Sequence, residues 1–78
     1  MNWREHIHSD PGVMGGKPVI KGTRITVEII LEWLAAGWTE AEVFENYPRL
    51  TPDALRAVYA FSHQIVADQL YSMTREAA

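Results

Sequence analysis

The stretch TVEIILEWLAAGWTEAE, residues 26–42, decides the fold of this 78-residue chain. Thr26 is a good N-cap for a first helix. Apolar residues then follow at the spacing of a buried helical stripe: Val27, Ile30, Leu31 and Leu34. Gly37 ends this helix as a C′ residue would. Thr39, with Glu42 three positions later, forms a capping box that predicts a second helix.

A third helix is predicted downstream of Pro48, which stops the second. Thr51 is its N-cap, Pro52 occupies the first helical position and Asp53 suits the positively polarised first turn. Helical spacing continues along one face, which ends in an apolar row of Val66, Leu70 and Met73: Leu55, Val58, Tyr59, Ser62, Ile65, Val66, Leu70 and Met73. We expect a helix of about 20 residues, or roughly 30 Å, whose distal apolar row is longer than the other helices can cover.

The first 26 residues read as strands and turns. Apolar and polar residues alternate loosely from Trp3 to Ser9, which indicates a short strand. Pro18 to Ile20 is a second extended run. Turn signals lie between them at Asp10-Pro11-Gly12 and Gly15-Gly16. The sequence therefore predicts a mainly α single domain over residues 1–78. We expect a three-helix, homeodomain-like helix-turn-helix bundle (27–78) preceded by a short β-hairpin or arm (1–26).

Charge is divided unevenly along the chain, whose net charge is −3. Residues 1–26 hold four basic and two acidic residues, whereas residues 27–78 hold three basic and eight acidic ones. Such asymmetry favours contact with an anion or a nucleic acid on the basic side, although a solvated surface of scattered charges is the simpler alternative. The absence of cysteine, of a signal peptide and of a 20-residue apolar run predicts a cytoplasmic protein outside the membrane.

Motifs for catalysis are lacking, so we expect a binding module without enzymatic activity, cofactor or metal. Gly15-Gly16-Lys17 fails as a phosphate-binding loop because Pro18 stands where Ser or Thr is required. His6 and His8 could share one strand face, but a metal site would need further ligands. No serine lies in a nucleophile-like context, and there is no cysteine.

The third helix would be a poor DNA-reading helix in a helix-turn-helix domain. Arg56 is its one strong donor near the N-terminus, and Asp53 would repel phosphate. The predicted nucleic-acid contacts therefore lie mainly in the arm: Lys17, Lys21, Arg24, Arg49 and Arg56. The competing interpretation is that Gly22 and Thr23 merely close a hairpin, with Arg24 paired to an acid such as Glu28.

A second apolar surface predicts association with another chain. Trp33 lies in an apolar row beside the buried stripe of the first helix, and the third helix continues its row past the bundle. The predicted partner or dimer interface comprises Trp33, Val66, Leu70 and Met73. A second copy of the chain is the simplest occupant, so we expect a homodimer.

The run DPGVMGGKPVIKGTRITV, residues 10–27, closely resembles the signature of the domain-of-unknown-function 433 family. Ile30-Leu31 with Leu34, Ala36 to Thr39 and Tyr47 to Thr51 also fit, so the resemblance spans about residues 5–67. It implies a homeodomain-like, commonly dimeric fold. It also implies a VapB-like antitoxin of a bacterial type II toxin–antitoxin pair, binding a PIN-like ribonuclease toxin. Binding of operator DNA is left open, and a protein-interaction module without DNA binding is the alternative.

Overall fold

Across the described backbone, two short strands precede three helices. The computed structural model describes the backbone of residues 1–77 and the side chains of residues 1–69. The elements are β1 Ile7–His8, β2 Val19–Ile20, α1 Val27–Ala35, α2 Glu40–Asn46 and α3 Pro52–Ala77. The prediction of a mainly helical fold with an N-terminal hairpin is confirmed. Within the described chain, no helix is both long enough and apolar enough to cross a membrane.

The hairpin is shorter than the sequence predicted. β1 and β2 pair antiparallel, with Ile7 opposite Ile20 and His8 opposite Val19. The expectation of one strand from Trp3 to Ser9 is wrong, because Trp3–Glu5 forms a 3-10 turn instead. Asn2 caps this turn by accepting a 3.1 Å hydrogen bond from the Arg4 amide, a local side-chain bond that competes with strand pairing.

The segment after β2 folds back along it and leads into α1. The Ile20 amide donates to the Ile25 carbonyl at 2.9 Å, and Val19 forms a bridge with Thr26. Thr23 supports this turn by donating its hydroxyl to the Ile20 carbonyl at 2.8 Å. Thr26 then caps α1 by accepting from the Ile29 amide at 3.0 Å, as predicted. The turn thus fixes where residues 21–26 lie relative to α1.

Each helix boundary follows the capping chemistry of its sequence. α1 ends in a Schellman motif, since Gly37 has φ 101° and its amide donates to the Leu34 carbonyl, while the Trp38 amide donates to Trp33. The capping box of Thr39 and Glu42 begins α2. Thr51 caps α3 by accepting from the Ala54 amide at 3.0 Å.

The hydrophobic core joins the hairpin to all three helices. Buried positions come from both predicted parts of the chain: Ile7, Val19, Ile20, Val27, Ile30, Val43, Leu50, Ala54, Leu55, Ala57 and Val58. Residues 1–26 are therefore an integral layer of the domain rather than an arm attached to a separate bundle. The 3-10 turn of Trp3 also packs on α3, through an edge-to-face contact with Phe61 at 4.9 Å.

Helix α3 has 26 residues, longer than the predicted 20 or so. Its core face comprises Ala54, Leu55, Ala57 and Val58, so two small alanines were missed as core residues. Tyr59 and Ile65 were expected on the apolar face, but they are 41% and 47% exposed. The side chains of residues 63–69 are all exposed. The helix therefore runs beyond the core that its first turns build.

Candidate nucleic-acid and partner surfaces

Two arginines far apart in sequence line one open groove. Arg24 follows the turn after β2, and Arg49 lies between α2 and α3. With His8, Val13, Gly22 and Thr23, they line a space of about 510 Å³, named here the cationic groove. No carboxylate belongs to the described residues that line it. A groove with two guanidinium groups and no acid is suited to phosphate or another oxyanion.

The predicted nucleic-acid residues divide between two regions. Lys21 is exposed in the turn after β2 and is the chain neighbour of Gly22, but it is not among the residues that line the cationic groove. Lys17 pairs with Glu28 of α1 at 3.0 Å, with both side chains mostly exposed. The sequence had offered Arg24 as the partner of Glu28, and the structure gives that pairing to Lys17. Arg56 lies elsewhere, 3.7 Å from Asp53 on α3.

The surface around Arg56 carries acidic side chains, and its polar groups bond to one another. Arg56 lines a small groove of about 180 Å³ with Glu40 of α2 and Tyr59 of α3. The Tyr59 hydroxyl donates to the Glu40 carboxylate at 2.8 Å. Burial first, and then the hydrogen bond and negative charge of Glu40, raise the pKa of Tyr59 to about 12. Glu40 and Asp53 make this region a weak phosphate site, as the sequence indicated for α3.

A second open space, named here the apolar groove, runs between the hairpin and α1. It has a volume of about 530 Å³, and its lining combines apolar and charged groups: Met14, Lys17, Arg24, Ile25, Thr26, Glu28, Ile29, Glu32 and Tyr47. Arg24 lines both grooves, so they meet at its side chain. Such a space, largely apolar with a few convergent polar groups, is the usual form of a ligand site.

Three aromatic rings support one wall of the apolar groove. Tyr47 stacks on Trp33 with centroids 4.4 Å apart, and Trp33 stacks on Trp38 at 4.8 Å. The second stack follows from the Schellman motif, which brings the residue after Gly37 against the last turn of α1. Trp33, predicted to face a partner, thus contacts two rings of its own chain, and its role in an interface stays a prediction.

The distal part of α3 presents apolar side chains to solvent. Ile65 is 47% exposed and Val66 is 55% exposed. Val66 was predicted to lie in a partner or dimer interface, and this exposure leaves it available for one. Leu70 and Met73, the other predicted interface residues of α3, have side chains outside the described residues.

Comparison with known proteins matches this chain to a sequence family. The family described as "Protein of unknown function (DUF433)" matches residues 7–62. The chain belongs to this family. A solved crystal structure of a DUF433 member from Anabaena variabilis has a TM-score of 0.72 and 33% sequence identity, covering 90% of this chain and 65% of that one. The DUF433 resemblance inferred from residues 10–27 is therefore confirmed.

A longer curated relative shares part of the same sequence. The "Uncharacterized protein y4eO" of Sinorhizobium fredii is 36% identical over 59 residues, which cover 73% of this chain and 27% of that protein. The chain thus spans about a quarter of that relative and 65% of the solved DUF433 structure. Both proteins resemble the chain in sequence, the solved structure also resembles it in fold, and neither name assigns an activity.

Several groove residues were missed by sequence reasoning. His8, Ile25, Ile29 and Tyr47 line the grooves but were not among the predicted site residues. Ile25 and Ile29 lie four positions apart, one before and one within α1, a spacing that could have been read as a groove wall. Met14 and Gly15 both have a positive φ, 49° and 67° respectively. No residue pattern in the sequence predicts this conformation at Met14.

Proposed function

We propose that this DUF433 chain is a non-catalytic binding module with an antitoxin-like role, which contacts nucleic acid through the cationic groove. The observation that supports this proposal is the convergence of Arg24 and Arg49 on one groove. Guanidinium groups bind phosphate oxygens bidentately, and a pair of them can follow a nucleic-acid backbone. Lys21, an exposed residue next to Gly22 in the chain, is a further positive charge close by in sequence.

A PIN-like ribonuclease toxin is the proposed protein partner, on the strength of the family resemblance. The exposed Ile65 and Val66 support a protein contact on distal α3, where a homodimer or a toxin would cover apolar surface. The same two residues favour the second candidate function, a protein-interaction module that does not bind DNA. The net charge of −3 also favours that candidate, because it opposes non-specific attraction to DNA.

Binding to duplex DNA carrying the chain's own promoter tests the proposal. Fluorescence anisotropy should show binding at low salt that weakens steeply between about 50 and 200 mM salt, because phosphate neutralisation releases counterions. The double variant Arg24→Ala/Arg49→Ala should lose this binding. Arg56→Ala is the matched control, because its guanidinium lies beside Asp53, outside the cationic groove, and it should bind nearly as well as the parent.

Two outcomes would contradict the DNA role. One is an Arg24→Ala/Arg49→Ala variant that binds promoter DNA as the parent does, and the other is a parent protein that does not bind DNA even at low salt. The second outcome, combined with a stable complex with a PIN-like ribonuclease that Val66→Glu disrupts, would establish the interaction module instead.

A further inference from the structure

Tyr47, one of the residues that line the apolar groove, has an aromatic ring that its own chain holds in place. Trp33 stacks on Tyr47 at an interplanar angle of 28°. Trp38 in turn stacks on Trp33 at 17°. A ring held by two further rings loses little conformational entropy when a ligand contacts it. Stacking on such a ring suits a planar ligand and does not depend on base identity.

Positive and negative side chains line the apolar groove from different elements. Lys17 lies just before β2 and Arg24 lies after it, whereas Glu28 and Glu32 lie one helical turn apart on α1. The pair between Lys17 and Glu28 is 57% and 70% exposed at its two side chains. Exposed ion pairs contribute at most about 1 kcal/mol. Both groups can therefore exchange this contact for a ligand at little cost.

We propose that the apolar groove binds one nucleotide of a single-stranded nucleic acid, with guanine as its preferred base. The base would stack on Tyr47 between Ile25 and Ile29, and its phosphate would contact Lys17 and Arg24. Guanine presents two neighbouring N–H donors on its Watson–Crick edge, and the carboxylates of α1 are acceptors only. Uracil presents one such donor, so it matches these carboxylates less well.

Arg24 links this site to the cationic groove, because it lines both. A strand with its base in the apolar groove can therefore place its next phosphate on Arg49. An apolar peptide segment would also fill the apolar groove, but it would offer no negative charge to Arg24 and Arg49. Only the contact at Arg49 depends on the proposed DNA role, and the base site stands on the apolar groove itself.

Met14 supplies the remaining apolar edge from a strained position. Its φ of 49° lies in the left-handed region, followed by Gly15 and Gly16 at 67° and 85°. The glycines adopt this conformation freely, whereas a residue with Cβ does so at a cost of about 1–2 kcal/mol. The Met14 side chain is nonetheless 48% exposed at the groove. A flexible thioether there can adjust to the edge of a base.

Two labelled hexanucleotides test the proposal on the full chain by fluorescence anisotropy. One is all uridine, and the other carries a single guanosine near its centre. We expect the guanosine strand to bind about tenfold more tightly, the scale of one hydrogen-bonded base edge. The variant Glu28→Gln/Glu32→Gln should remove this preference while still binding both strands. The matched control Glu5→Gln/Glu45→Gln changes charge equally at exposed sites outside the groove and should keep the preference.

Equal affinity of the parent for the two strands, or no binding of either, would overturn the base site and leave the groove to a protein segment. A guanine preference that survives Glu28→Gln/Glu32→Gln would also overturn it. Duplex binding is measured separately with Arg24→Ala/Arg49→Ala. If the parent binds duplex promoter DNA but binds the two hexanucleotides equally, the proposed function stands and the guanine site is wrong. If it prefers the guanosine strand but does not bind duplex DNA, the guanine site stands and the proposed DNA role is wrong.

Discussion

The two parts of α3 differ sharply in how much of their surface the rest of the chain covers. Between Ala54 and Val58 the helix buries four side chains in the core. From His63 to Gln69 every side chain is exposed, although the backbone stays helical through Ala77. The first part therefore holds the domain together, and the second extends from it with apolar residues uncovered. Stability and association are carried by separate lengths of one helix.

The change between the two parts coincides with the last residues that the N-terminus can cover. Trp3 contacts Phe61 edge-to-face, and its indole N–H donates to the Gln64 side chain at 2.9 Å. Beyond this point the described side chains of α3, residues 65–69, are all exposed. Substitutions in the buried part of α3, at its junction with Trp3 and in its exposed part should therefore lower the free energy of unfolding by successively smaller amounts.

Leu55→Ala should have the largest effect. Leu55 is 2% exposed in the first part of α3. Replacing a buried leucine by alanine removes apolar contact and leaves a cavity, which costs about 2–5 kcal/mol. In a chain of this size, that loss is a large fraction of the total stability. Urea unfolding followed by circular dichroism measures it, and a loss below about 1 kcal/mol would contradict the assignment of this part of the helix to the core.

Trp3→Ala should come second, because Trp3 joins the two ends of the chain at the point where burial of α3 stops. The variant loses the contact with Phe61 and a partly buried indole, so we expect a cost of about 1–3 kcal/mol. Trp3→Phe should recover most of it, whereas Gln64→Ala removes one exposed hydrogen bond and should cost less. If Trp3→Ala were as stable as the parent, the N-terminal turn would not support α3.

Helix boundaries could be predicted from the sequence because each depends on neighbouring residues. The caps at Thr26, Thr39 and Thr51 and the stop at Gly37 involve bonds to residues within five positions. The 3-10 turn at Trp3–Glu5 was missed because its alternation mimics a strand. The buried Ala54 and Ala57 were missed because the core face was read from the spacing of the larger apolar residues alone.

The candidate site was less predictable because it depends on contacts between distant residues. Arg24 and Arg49 were both proposed, but their convergence with His8 required the packing of the hairpin against the turn before α3. Tyr47 was not predicted as a site residue, because its place in the lining of the apolar groove depends on how the end of α2 packs near α1. Arg56 was included on charge alone, and its position beside Asp53 separates it from the others.

Thr39→Ala should have a moderate effect, through α2 and not α3. The Thr39 hydroxyl oxygen accepts from the Glu42 amide at 3.1 Å, and loss of such a cap costs about 1 kcal/mol. Thr39→Ser keeps the hydroxyl and should restore most of the stability. Equal urea midpoints for Thr39→Ala and the parent would mean that α2 is held by its core packing and not by its cap.

The same cap should make stability depend on pH. The backbone amide of Thr39 first, and then its hydroxyl, hold the pKa of Glu42 below its ordinary value. A carboxyl with a lowered folded-state pKa contributes stability above its unfolded-state pKa and loses it as pH falls through the folded one. The parent should therefore lose its advantage over Glu42→Gln as pH falls from about 7 to about 3. A constant difference in urea midpoint across that range would refute the linkage.

Ile65→Ala should have the smallest effect on folding and thereby test the comparison most directly. Ile65 lies 10 positions after Leu55 on the same helix but is 47% exposed, so its truncation should change the free energy of unfolding by less than about 0.5 kcal/mol at low protein concentration. A partner or a second copy that covers this part of α3 would make the substitution costly only when bound. Sedimentation of the parent and the variant over a range of concentrations tests whether Ile65 lies in an interface. If it does, the variant should associate more weakly than the parent, with an unchanged urea midpoint at low concentration. A large loss of stability in the dilute monomer would instead mean that this half of α3 is part of the core.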